Sequence, residues 1–236
     1  MDNPTFLPTG DTCRYCHAPL VESEPTIFGG RTFQVYKPCL CDRAREERER
    51  AAESKQQEVE RMIRAARLKS LRKRGVEKRY LGATTDLAVE GLYLVGNVGT
   101  GKTHTASALA IKAYDSGQSV YLRTFERILD EVKATYSNDE SRTADSILQT
   151  YEDVDVLILD DIGKEMPTDH NLGHLFRLIN TRYSREKVTI LTSQMERNEL
   201  ALKLGGDGMA QAIVSRLMEM CRVVRFTGAD RRLAHK

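Results

Sequence analysis

The sequence lacks the features that mark exported, membrane-spanning or strongly basic proteins. No apolar run approaches the roughly 18 residues that a membrane helix needs. The first residues do not show a basic segment followed by an apolar one, which is the pattern of a signal peptide. The net charge is only +2, so bulk charge does not indicate a nucleic-acid partner. We therefore expect a cytoplasmic protein without a membrane partner.

Cysteine and proline are scarce after the first 41 residues, where only Cys221 and Pro167 remain. The other cysteines form two close pairs separated by 22 residues, a spacing typical of a closed, structural Zn²⁺ site. In a reducing compartment such a cluster favours metal over disulfides. The segment between the pairs could form the hairpin that is usual in such a site. Replacement of one ligand by His17, and four reduced cysteines in an unstructured leader, are the alternatives. The predicted zinc ligands are Cys13, Cys16, Cys39 and Cys41.

The composition divides the chain into three regions. Residues 1–41 form the cysteine-rich module. Residues 42–79 contain no proline and alternate acid and base at helical spacing, which predicts a charged helical linker. The basic run at 61–79 suits either contact with nucleic-acid phosphates or simple solvation. No aromatic residue interleaves before Tyr80, so the run gives little support for stacking on bases. Residues 80–236 alternate apolar strands with amphipathic helices, which predicts an α/β domain with a parallel sheet covered on both faces.

A phosphate-binding loop follows the first apolar strand of this domain, at residues 91–96. The segment fits G-x-x-x-x-G-K-[ST] and precedes a helical stretch at 102–115. Glycines allow backbone N–H groups to surround phosphates, and the helix directs its positive end at the same anion. We expect Lys102 to reach the β- and γ-phosphates of ATP, and Thr103 to offer its hydroxyl to Mg²⁺. The predicted loop comprises Gly96, Asn97, Val98, Gly99, Thr100, Gly101, Lys102 and Thr103.

Two carboxylates end another apolar strand, at residues 154–161. Because parallel strands present their carboxyl ends beside the phosphate loop, we expect Asp160 to hold Mg²⁺ and Asp161 to polarise the attacking water. An acid that caps a helix and a surface acid are the alternative interpretation of this pair. The next strand, at 188–194, ends in polar residues, and Ser193 or Gln194 could contact the γ-phosphate or that water.

Taken together, these motifs resemble the DnaC/DnaI-type replicative helicase loaders, which are AAA+ ATPases related to IstB transposition ATPases. The resemblance covers about residues 73–236 and rests on YLVGNVGTGKTHTASALA, VDVLILDDIGKE, FRLINTRYSREKVTILTSQ and IVSRLMEMCRVVRFTGADRR. The cysteine module and linker in front are similar to the DnaI-type loaders in particular. The resemblance therefore implies an AAA+ P-loop fold and ATP hydrolysis.

The same resemblance implies further site residues. Gln194 takes the place of an asparagine that acts as first sensor of the γ-phosphate. Arg216 matches an arginine finger that acts on ATP held by a neighbouring subunit, so self-association is implied. Arg232 matches a second sensor, with Arg231 as the alternative. Only ten residues separate Tyr80 from Gly91, which is shorter than in the family and implies a reduced lid over the adenine base.

The function implied is that of a helicase loader. Residues 1–41 would bind the hexameric replicative DNA helicase, and the ATPase domain would contact single-stranded DNA. An IstB-type regulator of a transposase would have nearly the same ATPase core. A small-molecule kinase would need no arginine from a partner, and the departures at Asp161 and Gln194 would also suit an adaptor that binds ATP without hydrolysing it.

Overall fold

The computed structural model describes residues 12–135, 143–164 and 168–231. The chain divides into two compact units, residues 1–66 and 67–236. None of the helices in the described ranges combines the length and the apolar character required to cross a bilayer.

A two-stranded hairpin lies in the first unit, between the two cysteine pairs. Strand β1 (Thr26–Phe28) pairs antiparallel with β2 (Arg31–Phe33). The turn residues Gly29 and Gly30 have φ of 58° and 75°. A two-residue hairpin turn of this hand requires positive φ at both positions, which glycine adopts without steric cost. The hairpin expected from the sequence is therefore present.

The charged segment forms one long helix, α1 (Asp42–Lys73). It ends six residues before the predicted limit because Gly75 follows with φ of 107°, a conformation that terminates helices. A Cβ at Gly75 would lie 1.8 Å from the backbone oxygen of Leu122, so only glycine fits there. Leu71 is fully buried, and the second compact unit already begins at residue 67. The last turns of α1 therefore contribute to the core of the second unit.

A five-stranded sheet organises the second unit. All four neighbouring pairs are parallel, in the order β4-β5-β6-β3-β7. This arrangement confirms the predicted α/β class. The strands are β3 (Leu92–Gly96), β4 (Val120–Thr124), β5 (Val156–Asp160), β6 (Val188–Ser193) and β7 (Arg222–Phe226). The helices are α2 (Lys102–Asp115), α3 (Phe125–Ala134), α4 (Ala144–Asp153), α5 (Asp169–Ser184), α6 (Arg197–Lys203) and α7 (Gly208–Met220).

Each face of the sheet carries its own hydrophobic core. Side chains alternate along a strand, so Leu92 and Leu94 face one core while Tyr93 and Val95 face the other. The first core contains the buried side of α2 together with Leu71. The second contains residues from α4, α5, α6 and α7. This double coverage explains why the central strands are continuous apolar runs.

Helix α4 was not predicted from the sequence. Its N-terminus is defined by Thr143, whose hydroxyl accepts the N–H of Ser146 while the Ser146 hydroxyl accepts the N–H of Thr143. This is a capping box in which serine replaces the usual Glu or Gln. The helix buries Leu148 and Tyr151, and its polar residues mask that short apolar pattern in the sequence.

A buried arginine fixes the C-terminal end of α4. Arg182 of α5 is completely inaccessible to solvent. Its Nη1 donates to the backbone oxygens of Tyr151 and Val154, each at 2.8 Å, and its Nη2 donates to that of Val188 at 2.6 Å. Its Nε donates to the Thr189 hydroxyl at 2.9 Å. Burial lowers the pKa of Arg182 to about 10, so the side chain is still protonated at neutral pH.

Candidate functional site

The phosphate loop connects the end of β3 to the start of α2. Gly96, Gly99 and Gly101 have φ of 151°, 77° and 102°. A Cβ at Gly96 would lie 2.2 Å from the backbone oxygen of Phe226, so strand β7 packs directly on the loop. These conformations give the strand–loop–helix geometry that the motif predicts.

Lys102 lies at the first position of α2 and is only 8% exposed. Its Nζ donates to the backbone oxygens of Gly96 at 2.6 Å and Asn97 at 2.7 Å. The ammonium group is therefore held inside the loop, where phosphate oxygens would compete with these carbonyls for it. The loop is also braced by Thr100, whose hydroxyl donates to the Asn97 oxygen at 2.8 Å.

Asp160 is brought to Thr103 by the fold. The Thr103 hydroxyl donates to Oδ1 of Asp160 at 3.2 Å. Burial raises the pKa of Asp160, and hydrogen bonds from Thr192 and Thr103 oppose that change. A hydroxyl and a carboxylate oxygen are ligands that Mg²⁺ accepts beside a bound phosphate. These two residues, 57 positions apart in the chain, therefore fit a magnesium ion at the predicted place.

Thr192 of β6 is a site residue that sequence reasoning missed. Its hydroxyl donates to Oδ1 of Asp160 at 2.6 Å and accepts the backbone N–H of Asp161 at 2.8 Å. The signal was present, because Thr192 is a hydroxyl residue near the end of an otherwise apolar strand beside β5. Ser193, which was considered as a phosphate contact, is instead fully buried and donates to the backbone oxygen of Ile162 at 2.9 Å.

Asp161 and Gln194 form a second polar pair beside the first. Asp161 has φ of 58°, a left-handed conformation that is unusual for a residue with a side chain. Strained backbone of this kind concentrates at functional sites. The Gln194 amide nitrogen lies 3.4 Å from Oδ1 of Asp161, a long hydrogen bond. Two of the three predicted catalytic side chains thus lie at the carboxyl ends of neighbouring strands.

The segment after β7 contacts the phosphate loop. The backbone N–H of Arg231 donates to the oxygen of Gly99 at 3.1 Å. Its guanidinium Nη1 would be 3.5 Å from a Cβ placed on Gly101. Arg231, the alternative second sensor, therefore lies beside the loop, whereas Arg232 is outside the described residues.

Arg216 contacts α5 rather than the phosphate loop of its own subunit. Its guanidinium carbon lies 5.3 Å from the centroid of the Phe176 ring and 5.8 Å from that of Tyr183. Its Nη1 donates to the backbone oxygen of Ala212 at 3.1 Å. The structure therefore does not bring Arg216 together with Lys102 and Asp160.

The four predicted zinc ligands converge in the first unit. All four sulfur atoms lie within 4.8 Å of one another. Cys13 and Cys41 are 3.8 Å apart, and Cys16 and Cys39 are 3.4 Å apart. Sulfurs bound at ~2.3 Å around a tetrahedral Zn²⁺ would be separated by about 3.8 Å, so the donor set fits that ion. The pKa of the Cys13 thiol is lowered, chiefly by the backbone N–H of Cys16, whereas the pKa values of the Cys16 and Cys41 thiols are raised.

Thr192→Val tests the link between β6 and the two carboxylates. The change keeps the side-chain shape and removes the hydroxyl that donates to Asp160. Without that bond the pKa of Asp160 rises further, because burial is then opposed only by Thr103. We expect Mg²⁺-dependent ATP turnover to fall about tenfold, the effect of ~1.4 kcal/mol, and its lower pH limit to move upward.

Thr189→Val is the matched control for Thr192→Val. It makes the same change on the same strand, at a threonine that bonds Arg182 instead of Asp160. We expect it to lower the melting temperature and to leave the Mg²⁺ and pH dependence of turnover unchanged. An unchanged pH profile in Thr192→Val would contradict the role assigned to Thr192.

Two groups of relatives match part of this chain. A protein of insertion sequence IS21 from Pseudomonas aeruginosa, described as ATP-binding, is 32% identical over 167 residues, 69% of this chain and 61% of that protein. The replicative helicase loader DnaC of Buchnera aphidicola subsp. Baizongia pistaciae is 27% identical over 110 residues, 47% of this chain and 45% of that protein. The match thus covers less than two thirds of either relative.

Solved structures show the same architecture. The crystal structure of the DnaC helicase loader gives a TM-score of 0.52 at 22% identity, covering 64% of this chain and all of that one. The crystal structure of DnaI gives 0.51 at 24% identity, covering 70% of this chain and 84% of that one. At these identities the likeness concerns the fold, and it confirms the predicted AAA+ arrangement. The profile of the IstB-like ATP binding proteins matches residues 44–236, and the chain therefore belongs to that family.

Proposed function

We propose that this chain hydrolyses ATP with Mg²⁺. Thr103 and Asp160 would hold the ion, and Lys102 would bind the β- and γ-phosphates. Bound MgATP supplies a γ-phosphoryl group that is open to attack by water. The observation that supports this assignment is the contact between Thr103 and Asp160 at the carboxyl edge of the sheet.

Asp161 is proposed to orient and polarise the attacking water. The Asp161 carboxylate lies close enough to Asp160 for its charge to contribute to raising the pKa of that group, and the Thr192 hydroxyl accepts the backbone N–H of Asp161. Gln194 would sense the γ-phosphate through its amide, which in this structure bonds Asp161. Exchange of the Gln194 amide between Asp161 and a phosphate oxygen would free the carboxylate to accept a proton from water.

Hydrolysis is proposed to require a neighbouring subunit. The guanidinium of Arg216 contacts Phe176 and Tyr183 of α5 in its own subunit, so the phosphate that it would stabilise is assigned to another copy. An arginine supplied in this way stabilises charge on the transferred phosphoryl group. Arg231 or Arg232 would contribute a second positive charge within the subunit.

We propose a structural Zn²⁺ ion in the first unit. Four thiolates leave no open coordination position, so the ion would hold the fold together without entering the chemistry. The hairpin strands are only three residues long and largely exposed, and such a small module lacks a core sufficient for folding alone.

We propose that the whole protein loads a replicative DNA helicase onto single-stranded DNA. The observation that carries this choice is the four-cysteine cluster, which lies in the first compact unit, residues 1–66, and so precedes the ATP-binding domain in the sequence. The similarity to DnaC, a replicative helicase loader, supports it. The exposed side chains of Ile27 and Phe28 at the hairpin turn, 73% and 79% accessible, would provide the contact with the helicase.

A transposition ATPase is the second candidate function. The IS21 relative aligns over more of the chain and at higher identity than the DnaC relative does. In that case the protein would assemble on duplex DNA and recruit a transposase. The two candidates share their ATP chemistry and differ in the macromolecule that they bind.

A pull-down from host lysate separates the two candidates. The baits are the full chain, a chain lacking residues 1–41, and Cys39→Ser, each with and without ATP. We expect the full chain to carry one zinc ion and to recover the replicative helicase, and both altered chains to lose zinc and helicase together. Recovery of a transposase, or of helicase by the truncated chain, would overturn the loader assignment.

A further inference from the structure

The surroundings of Arg216 on α7 differ from those of two arginines in the neighbouring α5 region. Arg177 and Arg185 of the α5 region each pair with a carboxylate, Asp145 or Glu152 for the first and Asp153 for the second. Arg216 forms no ion pair with any carboxylate in the ranges 12–135, 143–164 and 168–231. It lies against two aromatic rings instead.

Aromatic rings hold a guanidinium without neutralising it. The negative face of a ring attracts the cation and also excludes water from one side of it. A carboxylate would supply more attraction, but it would cancel the charge and would compete with any incoming phosphate. The Nε of Arg216 is buried and has no hydrogen-bond partner among the described residues. The side chain is thus half-buried, confined and still positively charged.

Helix α5 carries both rings that contact Arg216. Phe176 and Tyr183 are seven residues apart, or two turns, so their rings lie on the same side of the helix. The bond from Nη1 to the Ala212 oxygen fixes one edge of the guanidinium. Three contacts therefore restrict Arg216, and none of them is an anion.

We propose that Phe176 and Tyr183 are positioning residues, which hold Arg216 in an unneutralised state for the γ-phosphate of ATP bound to a neighbouring subunit. This inference rests on the proposed action of Arg216 across the subunit interface. The two rings never touch the nucleotide. They limit the rotamers of Arg216, and so reduce the entropy lost when its guanidinium meets the phosphate.

A mixture of two variants tests the proposal, because one variant supplies the nucleotide site and the other supplies Arg216. Arg216→Ala subunits bind ATP but lack the arginine finger. Lys102→Ala subunits keep Arg216 but stay largely empty when the ATP concentration is held well below their weakened Kd. We expect each to be inactive alone and the mixture to hydrolyse ATP. Adding Phe176→Leu to the Lys102→Ala subunit should lower kcat of the mixture about 3- to 30-fold and leave KM for ATP unchanged.

Further variants distinguish loss of the positioning contact from misfolding of the altered subunit. Phe176→Tyr in the Lys102→Ala subunit keeps a ring and should restore kcat, while Tyr183→Leu should repeat the loss independently. An inactive mixture of Arg216→Ala and Lys102→Ala would refute the trans action itself. An active mixture in which both Leu variants match the parent would overturn the positioning role alone.

Discussion

Lys102→Ala is expected to weaken ATP binding by a factor of roughly 100 to 10,000, because charge-assisted hydrogen bonds contribute ~1.5–3 kcal/mol each and Lys102 would supply about two of them to the phosphates. The structure already places this ammonium group inside the loop, 8% exposed and within 2.7 Å of two carbonyls. Isothermal titration calorimetry with ATP and Mg²⁺ measures the effect directly.

Lys112→Ala is the control on the same helix. Lys112 is exposed and donates to the backbone oxygen of Leu87, away from the phosphate loop. We expect its ATP affinity to stay within about threefold of the parent, the range of a single weak hydrogen bond. If Lys102→Ala bound ATP as tightly as Lys112→Ala, the loop would not be the phosphate site.

Arg182→Met is expected to lower the free energy of unfolding of the second unit by about 3–5 kcal/mol, the cost of leaving buried polar partners unpaired. Methionine fills similar space but donates no hydrogen bonds. The oxygens of Tyr151, Val154 and Val188 would then be buried without their donor. For a domain of this size the melting temperature should fall by about 6–20 °C, as measured by calorimetry.

Arg185→Met makes the same exchange three residues later. Arg185 pairs with Asp153 at the surface, where both side chains are about half exposed. Exposed ion pairs contribute ~1 kcal/mol or less, so this variant should melt within about 4 °C of the parent. Equal melting temperatures for the two variants would mean that the buried contacts of Arg182 contribute little to stability.

The fold and the candidate site could be predicted from the sequence wherever they depend on contiguous residues. The phosphate loop is fixed by its glycines and by the strand and helix that flank it, so Gly96 to Thr103 could be located directly. Strands buried on both faces are unbroken apolar runs, which is why β3, β5 and β6 were identified. Asp160 followed from a general property of parallel sheets, whose carboxyl ends share one edge.

The sequence was insufficient where a role depends on distant partners. Thr192 is one hydroxyl residue among many until β6 is placed beside β5, 32 positions away from Asp160 in the chain. Arg182 resembles an ordinary helix residue in the sequence, because its backbone acceptors lie on α4, on the residue before β5 and on β6, and only the fold brings them together. Helix α4 was missed because its cap depends on Thr143 and Ser146, which also favour turns.

The paired sulfurs of the first unit have a consequence beyond metal binding. With separations of 3.8 Å for Cys13–Cys41 and 3.4 Å for Cys16–Cys39, each pair is within reach of the ~2 Å bond of a disulfide after a small movement. A zinc ion bound as proposed would protect the thiolates from oxidation. Once a chelator removes it, an oxidant would crosslink the same four residues, and only a reductant would return them to the metal-binding form. In that case the amount of zinc that the unit can bind would depend on whether its cysteines had been oxidised.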